Sequence, residues 1–313
     1  MAAVKTLQRV AALFATPPSS TLPAELRPRD DELDLFGLTH PGLVRAENQD
    51  HFLLCTVHPQ VVIHGTSLPD PEALALRGGR LATVLLVADG VGGSAAGSRA
   101  SRLATEAVVQ YVAASLRSYH VAGSSGEEAF VEGLRDAAIQ AHEAVRAAAR
   151  TRPSQFGMAT TLCLATVVWP WIYAVQVGDS RCYFYEGGRL RQVTRDQTLA
   201  QALVDEGAMS AADAQRSPLS HILSSAIGAP EALPEVTRVD ARQLGGVLLV
   251  CTDGLTKHVA DPEIADRIGA MQSAEQLCRD LLQLALDRGG SDNITIVVGR
   301  VVRRAQAADA GTT

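Results

Sequence analysis

Two stretches of this chain end an apolar run in the same pair of residues. Leu85–Gly90 reads LLVADG and Leu248–Gly254 reads LLVCTDG. Between two strands, Asp-Gly marks a tight hairpin turn, but neither copy is followed by a second strand. After Gly90 comes VGGSAAGSRASRLATEAVV, and after Gly254 comes LTKHVADPEIADRI, each a loop that passes into a helical pattern. Asp89 and Asp253 are therefore read as strand-end carboxylates with a chemical task. Asp50, after RAENQ, opens a strand, and Asp292, in GGSDNITIVV, directly precedes one. If these strands lie side by side, their ends gather at one edge of the sheets. Several carboxylates there repel one another, and a cation is the usual means of holding them together. The donors are all oxygen and no His pair has H-x-x-x-H spacing, which selects Mg²⁺ or Mn²⁺ over zinc or copper. Gly90, with no side chain, lets the backbone approach an ion and offer its carbonyl as a ligand.

The elements that must position these residues follow from hydrophobic patterning. LDLFGLTH and DHFLLCTV read as strands around the loop PGLVRAENQ, and LATVLLVA as a buried strand. Helices are predicted near 95–117 and 127–150. A run of strands broken at Trp169-Pro170, Gly178-Asp179 and Gly187-Gly188 reads as a meander. Residues 197–207 read as helix, 208–243 as irregular and GVLLVCT as a buried strand. Helices near 262–269 and 274–287 lead to the last strand, ITIVVGRVV. The pattern is an α+β domain built on antiparallel sheet. Residues 1–33, broken by Pro17, Pro18, Pro23 and Pro28, read as a flexible N-terminal tail, 34–303 as one catalytic domain and 304–313 as a C-terminal tail. Residues 58–80, rich in Pro, Gly and His, form a long link.

Charge and cysteine usage narrow the class. With 28 Lys+Arg against 34 Asp+Glu and no basic block, nucleic-acid binding has little support. No apolar run approaches a membrane span. The first twenty residues carry two basic and no acidic side chains, but Gln8 and Arg9 interrupt their apolar part, so an amphipathic or disordered leader is favoured over a targeting peptide. Cys55, Cys163, Cys182, Cys251 and Cys278 form no C-x-x-C pair and mostly sit in apolar runs, as buried free thiols of a cytoplasmic protein would.

VRAENQD, LLVADGVGG, GMATTL, VGDSR, TRDQTLAQALVDEGA, LLVCTDGL and GGSDNITIVV occur in the order found in the protein phosphatase 2C family. Over about residues 34–302 the chain resembles these metal-dependent serine/threonine protein phosphatases, most closely the bacterial branch. The resemblance implies a four-layer α-β-β-α sandwich with two central antiparallel sheets and a metal centre at one end. Carried over, Asp50, Asp89, Asp253 and Asp292 surround two core Mn²⁺ or Mg²⁺ ions, the Gly90 carbonyl is a backbone ligand, and Asp179 serves a third, weaker site. Arg45 corresponds to the arginine that grips the substrate phosphate, and Asn293 organises the last ligand's loop. The implied chemistry is in-line attack by a metal-bridging hydroxide, with Asp50 and Asp253 central to it and no phosphoenzyme. The implied partners are phosphoserine and phosphothreonine proteins and an opposing Ser/Thr kinase, and the implied state is a monomer. Val91 stands where some members carry a histidine after the first Asp-Gly, so a general acid from that position is absent. The segment from Thr194 to Leu223 matches the family's mobile flap only loosely.

Two rivals remain at this point. A pseudophosphatase would keep the fold and hold phosphoproteins or a regulator without turnover, but the intact set of four Asp, Gly90 and Arg45 favours catalysis. A metal-dependent phosphodiesterase would use a similar acidic site, but would be expected to carry a basic surface run. The scattered histidines, His51, His58, His64, His120, His142, His221 and His258, read as surface or core residues, and Trp169 and Trp171 as packing residues.

Overall fold

In the computed structural model of the protein, residues 27–60, 78–92, 94–122, 126–151, 153–242 and 245–302 are described. Strands are β1 (Leu33–His40), β2 (His51–Val57), β3 (Ala82–Ala88), β4 (Gly90–Val91), β5 (Ala159–Thr160), β6 (Leu162–Val168), β7 (Trp171–Val177), β8 (Arg181–Glu186), β9 (Arg189–Gln192), β10 (Glu235–Asp240), β11 (Val247–Cys251) and β12 (Ile294–Val301). Helices are α1 (Ser94–Ala122), α2 (Glu127–Thr151), α3 (Leu199–Asp205), α4 (Ala211–Arg216), α5 (Asp253–Thr256), α6 (Asp261–Gly269) and α7 (Ala274–Asp287).

The strands form two five-stranded antiparallel sheets, in the orders β1-β12-β11-β8-β9 and β10-β7-β6-β3-β2. Every residue of β3 is buried, because successive side chains point to opposite faces and both faces are covered. Val84 and Leu86 pack with Val108, Leu116, Phe130 and Leu134 of α1 and α2. Leu85 and Val87 instead face Leu248, Val250 and Val297 of the other sheet. On the far side of that second sheet, Leu249, Ile296 and Val298 pack with Ile264, Leu277 and Leu281 of α6 and α7. Three apolar interfaces thus separate four layers, α-β-β-α, as the resemblance implies.

The strand register decides where the carboxylates go. In an antiparallel pair the start of one strand lies beside the end of its neighbour. His51 pairs with Ala88, so Asp50 and Asp89 share an edge of one sheet. Cys251 pairs with Ile296, so the segments holding Asp253 and Asp292 share an edge of the other. Asp179 sits in the connection from β7 to β8, where the chain passes between the sheets.

The region read as irregular, 208–243, is corrected: it contains α4 and the strand β10. β10 escapes notice because it is an edge strand with alternating exposure and one buried residue, Val239, and so carries no apolar run. The short helix α5 also went unanticipated, since Asp253 is its first residue. Residues 1–26, the tail from 304 and positions 61–77 of the long link lie outside the described residues, but the end of the stretch read as a flexible tail, 27–33, is corrected: Arg80 holds Pro28 and Asp30, Asp30–Glu32 form a 3-10 turn, and Leu33 opens β1.

Candidate metal centre

Both Asp-Gly glycines are explained by close backbone approach. A Cβ at Gly90 would overlap the Gly97 carbonyl at the start of α1, and one at Gly254 would overlap the Asn293 carbonyl. The first approach packs α1 against the β3 end. The second clamps α5 to the loop that carries Asp292.

Arg45, Asp89, Gly90, Asp179, Asp253 and Asp292 line one cleft of about 1050 Å³ at this end of the sandwich. Asp50 is buried behind that lining. Its Oδ2 accepts hydrogen bonds from Thr252 Oγ1 at 2.9 Å and Thr295 Oγ1 at 2.7 Å. Thr295 spends its one proton on Asp50, so Thr39 donates to Thr295 and in turn accepts from Asn48. The other Asp50 oxygen, Oδ1, is buried with no hydrogen-bond partner, as is Asp253 Oδ1. Burial first, and then the charges of Asp253 and Asp292, push the Asp50 carboxyl up to about 7. Burial and the Asp50 and Asp253 carboxylates raise Asp89 well above the ordinary range.

Asp89 is fixed through its backbone. Its N–H donates to Thr161 Oγ1 at 3.0 Å, and its carbonyl accepts from Thr160 Oγ1 and Thr161 N–H. Thr161 Oγ1 also bonds Ser180 Oγ, next to Asp179, at 2.7 Å. Thus GMATTL and VGDSR are stitched together beneath two of the candidate ligands. Gly178, at φ +102°, makes the turn before Asp179, and its N–H donates to Gln197 Oε1. Burial, followed by Asp253 and Asp196, raises Asp179 to about 8.

Asp292 is treated differently. Arg45 holds it with a two-pronged contact, Nε to Oδ1 at 2.8 Å and Nη2 to Oδ2 at 3.0 Å. Lys257 Nζ reaches Asp292 Oδ2 at 2.8 Å and Asp253 Oδ2 at 2.6 Å. Burial alone would raise Asp292, but the bonds from Arg45 and Lys257 outweigh it and hold the carboxyl below its ordinary range. Asn293 organises the loop that carries Arg45. Its Oδ1 accepts from Gln49 N–H, and its Nδ2 donates to the Pro41 and Glu47 carbonyls.

Sequence reasoning missed Thr252, Thr295 and Lys257. Each lies within four residues of a named Asp, but a threonine in a strand run reads as β propensity and a lone lysine as surface. His258 is more than a surface residue: its Nε2 accepts from Ser291 N–H at 3.0 Å, one residue before Asp292. The cleft is lined as well by the last residues of the flap segment, His221, Ile222 and Leu223, and by residues just after it, including Ser224 and Glu231.

The donors fit a divalent cation. They are oxygen only, and two buried carboxylate oxygens lack any partner, a costly state unless a cation meets them. Among the described residues, no three of these side chains are drawn around a single point as one ion's ligands would be. The charges that meet Asp292 are those of Arg45 and Lys257.

The family model described as Protein phosphatase 2C matches residues 67–292. The chain is 36% identical over 222 residues to the serine/threonine protein phosphatase PstP of Mycobacterium tuberculosis, covering 71% of this chain and 41% of that protein. It therefore spans about two fifths of the length of that curated relative. It is 31% identical to the serine/threonine phosphatase stp of Listeria welshimeri, covering 69% of this chain and 83% of the relative. Among solved structures, the catalytic domain of PstP in complex with two manganese ions superposes with a TM-score of 0.65 at 29% identity, covering 87% of this chain and 99% of that one.

Proposed function

The chain belongs to the protein phosphatase 2C family, and from that premise we propose that it is a metal-dependent serine/threonine protein phosphatase acting on phosphoprotein monoesters. The observation that carries this reading is the gathering of Asp50, Asp89, Asp179, Asp253 and Asp292 at one end of the sandwich, with buried carboxylate oxygens of Asp50 and Asp253 unpartnered. Asp50, Asp89, Asp253, Asp292 and the Gly90 carbonyl would hold two core ions, Mn²⁺ or Mg²⁺, and Asp179 a third. Such ions, when bound, supply Lewis acidity toward a phosphoryl group and an activated water.

The chain's own residues supply the rest. Arg45 is exposed on a loop at the cleft, and its planar fork suits two oxygens of a phosphate as well as those of a carboxylate. Asn293 sets the position of that loop. Thr252 and Thr295 orient Asp50 so that its free oxygen is the one offered.

A cysteine phosphatase reading finds no support. None of the five thiols lines the cleft, and burial pushes Cys182 and Cys278 up to about 12 and raises Cys55, Cys163 and Cys251 as well. The cleft therefore offers no thiol nucleophile. An opposing Ser/Thr kinase follows from the substrate class. No described helix is long and apolar enough to cross a membrane.

The test compares an aryl phosphate, a phosphodiester and a phosphothreonine peptide, each with Mn²⁺ and with chelator. Monoester hydrolysis that needs Mn²⁺ and falls at least ~100-fold in Asp253→Asn is expected. Full activity after exhaustive chelation, or a preference for the diester, refutes the reading.

A further inference from the structure

Asp292 has no oxygen to spare. Its Oδ1 accepts from Arg45 Nε and from the Asn293 N–H, and its Oδ2 from Arg45 Nη2 and Lys257 Nζ. An ion that takes Asp292 as a ligand must therefore displace one of the two cationic side chains. Arg45 touches Asp292 alone among the carboxylates, whereas Lys257 Nζ spans Asp253 and Asp292 at 2.6 and 2.8 Å. The lysine is delivered there by the helix: it caps α5 four residues after Asp253, and its N–H donates to the Asp253 carbonyl at 2.8 Å, a spacing that stacks two side chains on one face. It also lines the open cleft, so a displaced ammonium moves into water and not into the core.

We propose that Lys257 is a tethered competitor of the metal: its ammonium bridges Asp253 and Asp292 in the metal-free protein, keeps the two sheet-edge segments assembled, and is displaced when a divalent ion binds them. The inference rests on the assignment of these carboxylates as metal ligands. A monovalent charge on a flexible stem can link two carboxylates and still yield to a dication. Such displacement has a consequence. The ion's net affinity is lowered by the contacts it must break, which shifts the metal concentration over which the protein is loaded.

The full chain is compared with Lys257→Met, which keeps the stem and removes the charge, and Lys257→Arg, which keeps a cation. Mn²⁺ binding is measured by calorimetry, and melting is followed in chelator and in excess Mn²⁺. Lys257→Met is expected to bind Mn²⁺ roughly ten-fold or more tightly than wild type, the scale of a lost charged hydrogen bond. Its chelated form is expected to melt lower, and Mn²⁺ to raise its melting temperature by more. Lys257→Arg should stay near wild type. If Lys257→Met does not fold in chelator, Lys257→Gln carries the same comparison. Equal or weaker Mn²⁺ binding by the uncharged variant overturns the proposal, and absence of Mn²⁺ binding in every form overturns it together with the metal assignment. Because the readout is binding, tighter Mn²⁺ binding without phosphate hydrolysis upholds the lysine's role while refuting the phosphatase reading. Hydrolysis with an unchanged dissociation constant does the reverse.

Discussion

Asn293 offers the sharpest test of how this site is held. Its side chain is buried and makes three hydrogen bonds to one distant loop: from Gln49 N–H at 2.9 Å, and to the carbonyls of Pro41 at 3.0 Å and Glu47 at 2.9 Å. Those bonds fix both ends of the segment that carries Arg45. Asn293→Ala removes all of them but leaves the backbone N–H that supports Asp292. At about 1 kcal/mol net for each bond, the loss is roughly 3 kcal/mol, and somewhat more if the stranded backbone groups stay dry. For a domain of this size, ~3 kcal/mol corresponds to a fall in melting temperature of roughly 5–10 °C. The functional effect should be a rise in KM for an aryl phosphate, since the loop that sets Arg45 is released, with a smaller change in kcat. Asn293→Asp keeps the acceptor for Gln49 but loses both donors and adds a charge beside Asp292, so it should be at least as damaging. Thermal unfolding and steady-state kinetics on the three proteins decide the matter. An alanine variant that melts within a degree of wild type with unchanged KM would show that the loop is held by something other than Asn293.

Three further outcomes are expected. Arg45→Ala should raise KM for an aryl phosphate at least ~10-fold through loss of a bidentate contact, with Lys restoring only part of it; an unchanged KM would remove Arg45 from phosphate binding. Asp179→Ala should erase a weak Mn²⁺-binding event without lowering the melting temperature of the chelated protein, because the carboxyl it removes is buried and raised to about 8; calorimetry that looks identical in both proteins argues against a third site. His142 supplies a pH effect away from the carboxylates. Its Nδ1 accepts from Gly228 N–H at 3.1 Å, and burial, then Arg146, lower its pKa from the ordinary 6.5. A base with a depressed folded pKa contributes stability that is present above about 6.5 and is lost as pH falls from there through the lower folded value. Protection factors of the amides at 226–229, each taken against its intrinsic exchange rate at the same pH, should therefore fall between pH 7.5 and 5.5 in wild type, and a non-titrating His142→Leu should show no such step.

Much of the fold was legible because apolar runs report burial directly. The continuous run of β3 and the motif of β11 announce strands covered on both faces. The helix α7 begins where expected, with Ser273 Oγ accepting from Gln276 N–H. β10 was not legible, since an edge strand that pairs only with β7 leaves most of its residues exposed. The Asp residues, Gly90 and Arg45 could be named as candidates because Asp-Gly at a strand end and the motif order are local signals. The residues that manage them could not. Thr252 and Thr295 meet Asp50 from 202 and 245 positions away, and nothing near them in the chain marks that meeting.

Taken alone, the sequence determined most of the strands and the longer helices, that carboxylates stand at strand ends, and which family's motifs they match. These are properties of a few neighbouring residues, set by side-chain period and backbone preference. The tertiary structure decided which strand starts lie beside which strand ends, and so which carboxylates share a cleft. It also decided that Arg45 and Lys257 meet Asp292, while one oxygen each of Asp50 and Asp253 is left without a partner. Charge pairing depends on distance and on burial through space, and both come into being only when the two sheets close on each other.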